Sequence, residues 1–331
     1  MDLGLRGLAN LGNTCYLNAC IISLGYCDNF RKFILSKDYI SANTSVTTVS
    51  TSKNNLVEEL EEIYRELWIN NNSIIPRKFI KALKDNITSI EINEENDIGE
   101  FLVIYLDKLN QSISYVLEPE IKTYSKDSYG ILSEKLDIEW YKTVSKEYSR
   151  LCPLFYGQNI VQISCGKCNK IHHNYETYSI LMLPLNQSSN SLIDCLDAYF
   201  HHENLNTNDN PWKCDRCNTS TESKKTVLLW KNPEILIISV KRFDNFLRKN
   251  NKKIEIPEFL DISKYTLDKK SSKYKLRSVA SHVGSLNGGH YVSIVKNNEK
   301  WYLIDDLDVK FLEHPDLGSG YIYYFEQIIG N

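Results

Sequence analysis

Two Cys-x-x-Cys pairs, Cys165-Gly166-Lys167-Cys168 and Cys214-Asp215-Arg216-Cys217, constrain this chain more than any other feature. Four thiolates at that spacing suit tetrahedral zinc in a closed structural site, with no position left for a water. Between Cys168 and Cys214 lie 45 residues, so the intervening segment must carry structure of its own and return to where it began. The rival reading, a thioredoxin-like redox motif, wants a βαβ setting that this region lacks. The chain has nine cysteines, an odd number, and its first residues show no basic start followed by an apolar stretch. No signal peptide is expected, and metal binding or catalysis is favoured over a disulfide framework.

Of the 331 residues, 42% are hydrophobic and 24% charged, which permits one large domain or two ordinary ones with a full core. The net charge of −3 supplies no general pull toward nucleic acid or anionic membranes, so neither is an expected partner. No run of about 18 apolar residues occurs, so no membrane span is expected. The 21 tyrosines are spread throughout and read as packing.

The first third of the chain has helical periodicity. Asn13 or Thr14 is placed to cap a helix from Cys15 to about Tyr26 that is apolar nearly all round, hence buried. Leu56, Leu60, Ile63, Leu67 and Trp68 recur at helical spacing, and Pro76 suits the first turn of a helix carrying Phe79, Ile80 and Leu83. A further helix is expected from Asp97 to Leu109, with Phe101, Leu102, Tyr105 and Leu109 on one face. Ile40 to Asn55 and part of 119–150 read as loop. After about Leu154 the pattern turns to short strands: 160–164, 179–183, 226–230, 235–240, 276–280, 291–295, 301–304 and 321–325. Asn297-Asn298-Glu299 and Asn287-Gly288-Gly289 read as turns between them. Helices first and an antiparallel sheet after make an α+β chain.

Three places carry nucleophilic chemistry. In Gly7-Leu8-Ala9-Asn10-Leu11-Gly12-Asn13-Thr14-Cys15-Tyr16-Leu17-Asn18 a cysteine sits where a loop becomes a helix, and the N–H groups there favour a thiolate. Asn10 can aim its amide at an oxyanion. Taken alone, Cys15 reads more simply as a buried structural thiol. Near the other end, Gly288-Gly289-His290-Tyr291 puts an imidazole at a strand start about 275 residues away, so only the fold can join it to Cys15. Trp301-Tyr302-Leu303-Ile304-Asp305-Asp306 ends a later strand in two carboxylates. Such a carboxylate can hold the imidazole in one tautomer, although Asp-Asp after a strand is also a common turn. Alternation points Asp306 away from Asp305 unless the chain bends there.

Together these blocks resemble the cysteine and histidine boxes of the ubiquitin-specific proteases, and the match includes Tyr274, Leu276, His282 and Gly284. Phe155-Tyr156-Gly157, the two cysteine pairs, Asn232 to Phe243, Ile256-Pro257 and Tyr321 to Tyr324 follow that family in order, so the resemblance runs from Gly7 to about Phe325. One departure is Ile22, where the family usually has glutamine; a change in packing is expected there. The resemblance implies a single papain-like catalytic domain over 1–331, with a thumb over about 1–118, fingers over about 155–226 and a palm over about 227–331.

It implies Cys15 as nucleophile, His290 as general base, Asp305 as its orienter, Asp306 as helper and Asn10 as oxyanion donor. Zinc would be structural, on Cys165, Cys168, Cys214 and Cys217. The acidic start of a helix at Glu95-Asn96-Asp97-Ile98-Gly99-Glu100 is good helix chemistry by itself; the resemblance implies that Asp97 and Glu100 hold the substrate tail. Gly288 and Gly289 would line the approach for a tail without side chains. The expected reaction is hydrolysis after ubiquitin's terminal glycine, by a monomer whose partners are ubiquitin and ubiquitinated proteins. The expected compartment is the cytoplasm, with the nucleus open because of the basic run Arg248 to Lys253, otherwise a solvated loop.

Overall fold

The computed structural model describes residues 3–42, 55–206, 211–243, 248–269, 272–285 and 288–328. Nearly all of the loop expected over 40–55, and Asn287 of one expected turn, lie outside them. The helical part runs α1 (Cys15–Gly25), α2 (Asp28–Ser36), α3 (Asp38–Ala42), α4 (Asn55–Arg65), α5 (Arg77–Asn86), α6 (Ile98–Ile113), α7 (Ser128–Val144) and α8 (Leu151–Phe155). All eleven residues of α1 are buried, as its lack of a polar face requires. Neither Thr14 nor Asn13 caps it: the Thr14 side chain makes no cap bond, and Asn13 is left-handed at φ 52°. Past α4 the chain widens into one π-helical turn, Glu66–Asn70, which buries Leu67 and sets Trp68 against Tyr26 and under the Arg31 guanidinium, 3.9 Å from its ring.

The α6 cap is Asp97, whose Oδ1 accepts from the N–H groups of Gly99 and Glu100 at 2.8 and 3.0 Å. The helix outruns its expected end because Ile113 is still buried. Helix α7 lies inside the stretch read in part as loop. Asp127 caps it at Gly130, and Leu136, Trp140 and Val144 repeat every fourth residue on its buried side.

Every expected strand forms, with ends shifted by a few residues. The main sheet orders β13 (Asp308–Leu312), β12 (Lys300–Asp305), β11 (Gly288–Asn297), β10 (Lys273–Ser285), β14 (Ile322–Gln327), β8 (Ile235–Lys241) and β3 (Leu181–Pro184), with β9 (Phe259–Asp261) beside β10. All its pairs are antiparallel except β3 with β8. Strand alternation splits its side chains between two cores. Val295 and Ile304 face α1 and α6, whereas Ile294 and Leu303 face the layer that contains α9 (Leu192–Phe200). The β11–β12 hairpin turns through Asn298 and Glu299, both left-handed.

A second sheet projects away in the order β2 (Ile171–Tyr178), β1 (Gly157–Cys165), β7 (Ser223–Lys231) and β4 (Glu203–Leu205). Its end carries the small pair β5 (Lys213–Cys214) and β6 (Thr219–Ser220). These strands are the structure that the 45-residue gap required.

Candidate active site

The loop before α1 is shaped by backbone freedom. Gly12 sits at φ 91° with open space around its α-carbon, and Asn13 follows in the left-handed region. Asn10 braces this loop: its Oδ1 accepts from the N–H groups of Gly12 and Thr14 at 3.1 and 3.2 Å. Cys15 then opens α1 almost buried, 8% exposed. Cys15 and Tyr291, the residue after His290, line one cavity, so β11 and the start of α1 meet at the thiol.

The sequence argument that a helix start favours the thiolate is incomplete. Burial pushes the Cys15 thiol above its ordinary pKa; N–H bonds from Tyr291 and Tyr16 oppose that, and the Asp306 carboxylate adds to it. The free thiol is therefore a weaker acid than usual, and it needs an imidazole to take its proton.

That imidazole is held at one end. His290 Nε2 lies 2.6 Å from Asp305 Oδ1, leaving Nδ1 as the ring nitrogen for proton exchange. Asp306 stands at φ 49°, so the chain does bend after Asp305. Its Oδ2 comes to 3.9 Å from the same Nε2 instead of pointing to the opposite face. The Asp306 carboxylate is otherwise engaged: Oδ1 accepts from Asn18 Nδ2 at 2.7 Å, and Oδ2 from Asn10 Nδ2 at 3.0 Å. Its carbonyl accepts from Leu8 N–H at 3.0 Å, and a side chain at Gly7 would collide with that oxygen. This contact closes the chain's two ends around the site. His290, Asp305 and Asp306 bring three ligand atoms within 4.8 Å of one another, but a direct hydrogen bond occupies the space between His290 and Asp305.

Beside the thiol lies a cavity of about 180 Å³ lined by Cys15, Asp97, Phe243, His282, Gly289 and Tyr291. Larger cavities of about 640 and 690 Å³ lie elsewhere, the first lined partly by the Arg150–Glu234 ion pair, and neither includes the thiol. Size alone would misplace the site. Asp97 borders the small cavity, yet both its oxygens are engaged, Oδ1 by the cap and Oδ2 by Tyr321 Oη at 2.6 Å. Glu100 is exposed on the first turn of α6, and Gly288 is exposed with open space at its α-carbon. Gly289 is glycine because of His282, whose Nε2 would sit 1.8 Å from any Cβ there. No local pattern in the sequence gives Phe243 a place at this cavity, or Tyr321 one against Asp97.

The four paired cysteines converge about as far from these groups as the second sheet reaches. Their sulfurs all lie within 4.8 Å of one another, with Cys165 to Cys217 at 3.9 Å and Cys168 to Cys214 at 3.8 Å. Each pair is followed by a left-handed asparagine, Asn169 or Asn218, whose N–H returns to the carbonyl of the first cysteine at 2.9 or 2.7 Å. His172 approaches Cys214 through Nε2 and Asp215 through Nδ1, with its ring edge-on to Trp212. Cys165, Cys168, Cys214 and Cys217 could hold a metal ion. All nine cysteines are free thiols, and Cys20, Cys27, Cys152 and Cys195 are buried in the cores or beside them. Ile22 is buried in the main core, so the departure there is one of packing.

The sequence profile described as ubiquitin carboxyl-terminal hydrolase matches residues 6–325. Ubiquitin carboxyl-terminal hydrolase 4 of Vanderwaltozyma polyspora is 28% identical over 98% of this chain. Ubiquitin carboxyl-terminal hydrolase Usp2 of Drosophila melanogaster is 27% identical over 98%. The chain spans 41% and 35% of those two proteins' lengths. Among solved structures, a chain of the SAGA DUB module Ubp8/Sgf11/Sus1/Sgf73 bound to monoubiquitin superposes over 100% of this chain and 70% of its own. The TM-score is 0.77 at 20% identity, which is a likeness of fold. With the profile covering nearly every residue, this chain belongs to the ubiquitin carboxyl-terminal hydrolase family.

Proposed function

We propose that this chain is a cysteine-type deubiquitinase that hydrolyses the isopeptide or peptide bond after ubiquitin's C-terminal glycine. The observation that carries the reading is a near-buried Cys15 beside β11, with His290 on that strand tied to Asp305 at 2.6 Å. In this reading His290 takes the Cys15 proton at Nδ1 as the sulfur attacks the scissile carbonyl, then delivers it to the leaving amine. Asp305 orients the ring and offsets its charge. The Asn10 amide, aimed across the loop by Asp306, stabilises the oxyanion. The cavity of about 180 Å³ takes the extended tail, and Asp97 acts there chiefly by shaping the wall; Glu100 and Gly288, both exposed, meet the tail outside it.

The metal in this reading is zinc, held by Cys165, Cys168, Cys214 and Cys217. Tetrahedral zinc with Zn–S near 2.3 Å needs sulfurs about 3.8 Å apart, and the paired sulfurs stand at 3.8 and 3.9 Å. Bound there, zinc would fix the far end of the second sheet. The same reading makes 1–331 one monomeric catalytic domain: thumb to about 118, fingers over 155–226, palm from 227. The change from helix to strand between Phe155 and Gly157 supports that division. Nine unpaired thiols suit the reducing cytoplasm or nucleus. Release of a fluorophore from the C-terminus of ubiquitin, run beside other ubiquitin-like modifiers, tests the assignment; no cleavage of ubiquitin rejects it.

A further inference from the structure

Lys249, opposite Phe243 in a short antiparallel bridge, places its ammonium on three acceptors at the end of β10. It donates to the carbonyls of His282 and Gly284 at 2.7 and 3.1 Å, and to His282 Nδ1 at 3.2 Å. Three acceptors call for the full set of ammonium donors. An ammonium cannot accept, so His282 Nδ1 must offer a lone pair and the ring proton must sit on Nε2.

That nitrogen faces Gly289, where a Cβ would lie 1.8 Å away. Gly289, His282 and Cys15 line the same cavity. The ring packs against Tyr291 and Phe243, whose centroids lie at 4.7 and 6.0 Å. The titratable groups facing it are Lys249, Asp97 before α6 and His290 on β11, with Arg242 acting on Lys249 in turn. Burial, then Lys249, holds the His282 imidazole below its ordinary pKa, and Asp97 only partly opposes them. Protonation would turn Nδ1 into a donor facing the ammonium.

We infer that Lys249 is a positioning residue: it locks His282 as the neutral Nε2–H tautomer, so that His282 donates to a main-chain carbonyl of the extended peptide tail lying beside Cys15. The inference rests on reading the cavity as the tail's channel. A tail held by its backbone presents carbonyls and little else, so a fixed neutral donor is a fitting recognition group. Gly289, lacking a Cβ, leaves room for that nitrogen.

Nitrogen-15 imidazole spectra of the full chain test the lock without any substrate. His282 should be the Nε2–H tautomer at and above neutral pH, and should protonate only below the ordinary imidazole value of about 6.5. Lys249→Met should give mixed tautomers and raise the His282 pKa toward that value. On fluorogenic ubiquitin, Lys249→Met should raise KM about tenfold, the scale of one well-made hydrogen bond, and change kcat less than about twofold. His282→Gln keeps a neutral donor, so adding Lys249→Met to it should leave KM unchanged. An Nδ1–H tautomer in the wild type, unchanged spectra in Lys249→Met, an unchanged KM, or a full Lys249→Met effect in the Gln background would each overturn the inference. If the wild type cleaves no ubiquitin substrate, the functional reading and the tail contact fail together, and the spectra still decide whether Lys249 sets the tautomer.

Discussion

His290 Nε2 and Asp305 Oδ1 stand 2.6 Å apart, while the neighbouring Asp306 carboxylate reaches the same nitrogen only at 3.9 Å. Asp306 spends its hydrogen-bonding capacity on Asn10 and Asn18 instead. The two acids therefore have separable work. Asp305→Ala should lower kcat by about 10² to 10⁴, the range seen when an orienting carboxylate is lost from a triad. Asp306→Ala should lower kcat less, and should also lower stability by about 1–3 kcal/mol, because the buried Asn18 amide loses one of its two acceptors and keeps only the Leu8 carbonyl. Parallel kinetics and urea unfolding of the two variants check this; a larger kcat loss for Asp306→Ala would exchange the roles.

Metal removal should act through the second sheet and not through the thiol. Without an ion, Cys165, Cys168, Cys214 and Cys217 would be four crowded thiols where β1 ends and β5 turns back into β6. Metal analysis should find one zinc per chain. Cys214→Ser should weaken ubiquitin affinity at least tenfold while Cys15 keeps its reactivity toward a small alkylating agent. A metal-free chain with undiminished ubiquitin turnover would remove zinc from the account.

The sequence made the helical half and most of the sheet legible because burial is written there as period. Helix α6 announces itself through an Asp cap and four apolar positions, and β8 through the apolar run Ile235 to Ile238. Strand β2 was silent for the same reason: Ile171-His172-His173-Asn174-Tyr175-Glu176-Thr177-Tyr178 has no buried face, and it exists because it pairs along its length with β1. At the site, Cys15, His290 and Asp305 were legible as chemistry. The position of Asp306 was not, since alternation fails where one residue adopts φ 49°. The engagement of Asp97 by Tyr321 was also hidden, because it depends on a contact 224 residues long in sequence.

Arg242 offers a stability test away from the chemistry. It is 2% exposed, and its guanidinium donates to the carbonyls of Gly320, Gly318, Lys252 and Asn250 at 2.6 to 3.2 Å. A planar fork is what lets one side chain reach four carbonyls in two segments. Arg242→Met should destabilise the protein by about 3 kcal/mol or more, since the stranded carbonyls keep their desolvation penalty. Arg242→Lys should recover less than half of that. Urea midpoints decide it, and a Lys variant as stable as the wild type would show that the fork geometry is not needed.

The reactivity of Cys15 should carry the signature of its burial. A raised pKa means that the neutral thiol is favoured at neutral pH, so the thiolate fraction grows with each unit of pH until it passes a value above the ordinary thiol range. In the free enzyme, alkylation at Cys15 should therefore climb steadily from about pH 7 past about pH 9, the ordinary thiol range. Cys20 and Cys27, fully buried along the same helix and beyond, have thiols pushed much higher still. They should stay unmodified over that interval while the fold holds. A ubiquitin C-terminal electrophile should likewise label Cys15 alone, and Cys15→Ala should abolish labelling and hydrolysis while retaining ubiquitin binding. Peptide mapping after alkylation at each pH reads both the site and the profile. A plateau already reached below pH 7 would mean that Cys15 rests as a thiolate paired with protonated His290, and modification at Cys20 or Cys27 would remove Cys15 from its assigned role.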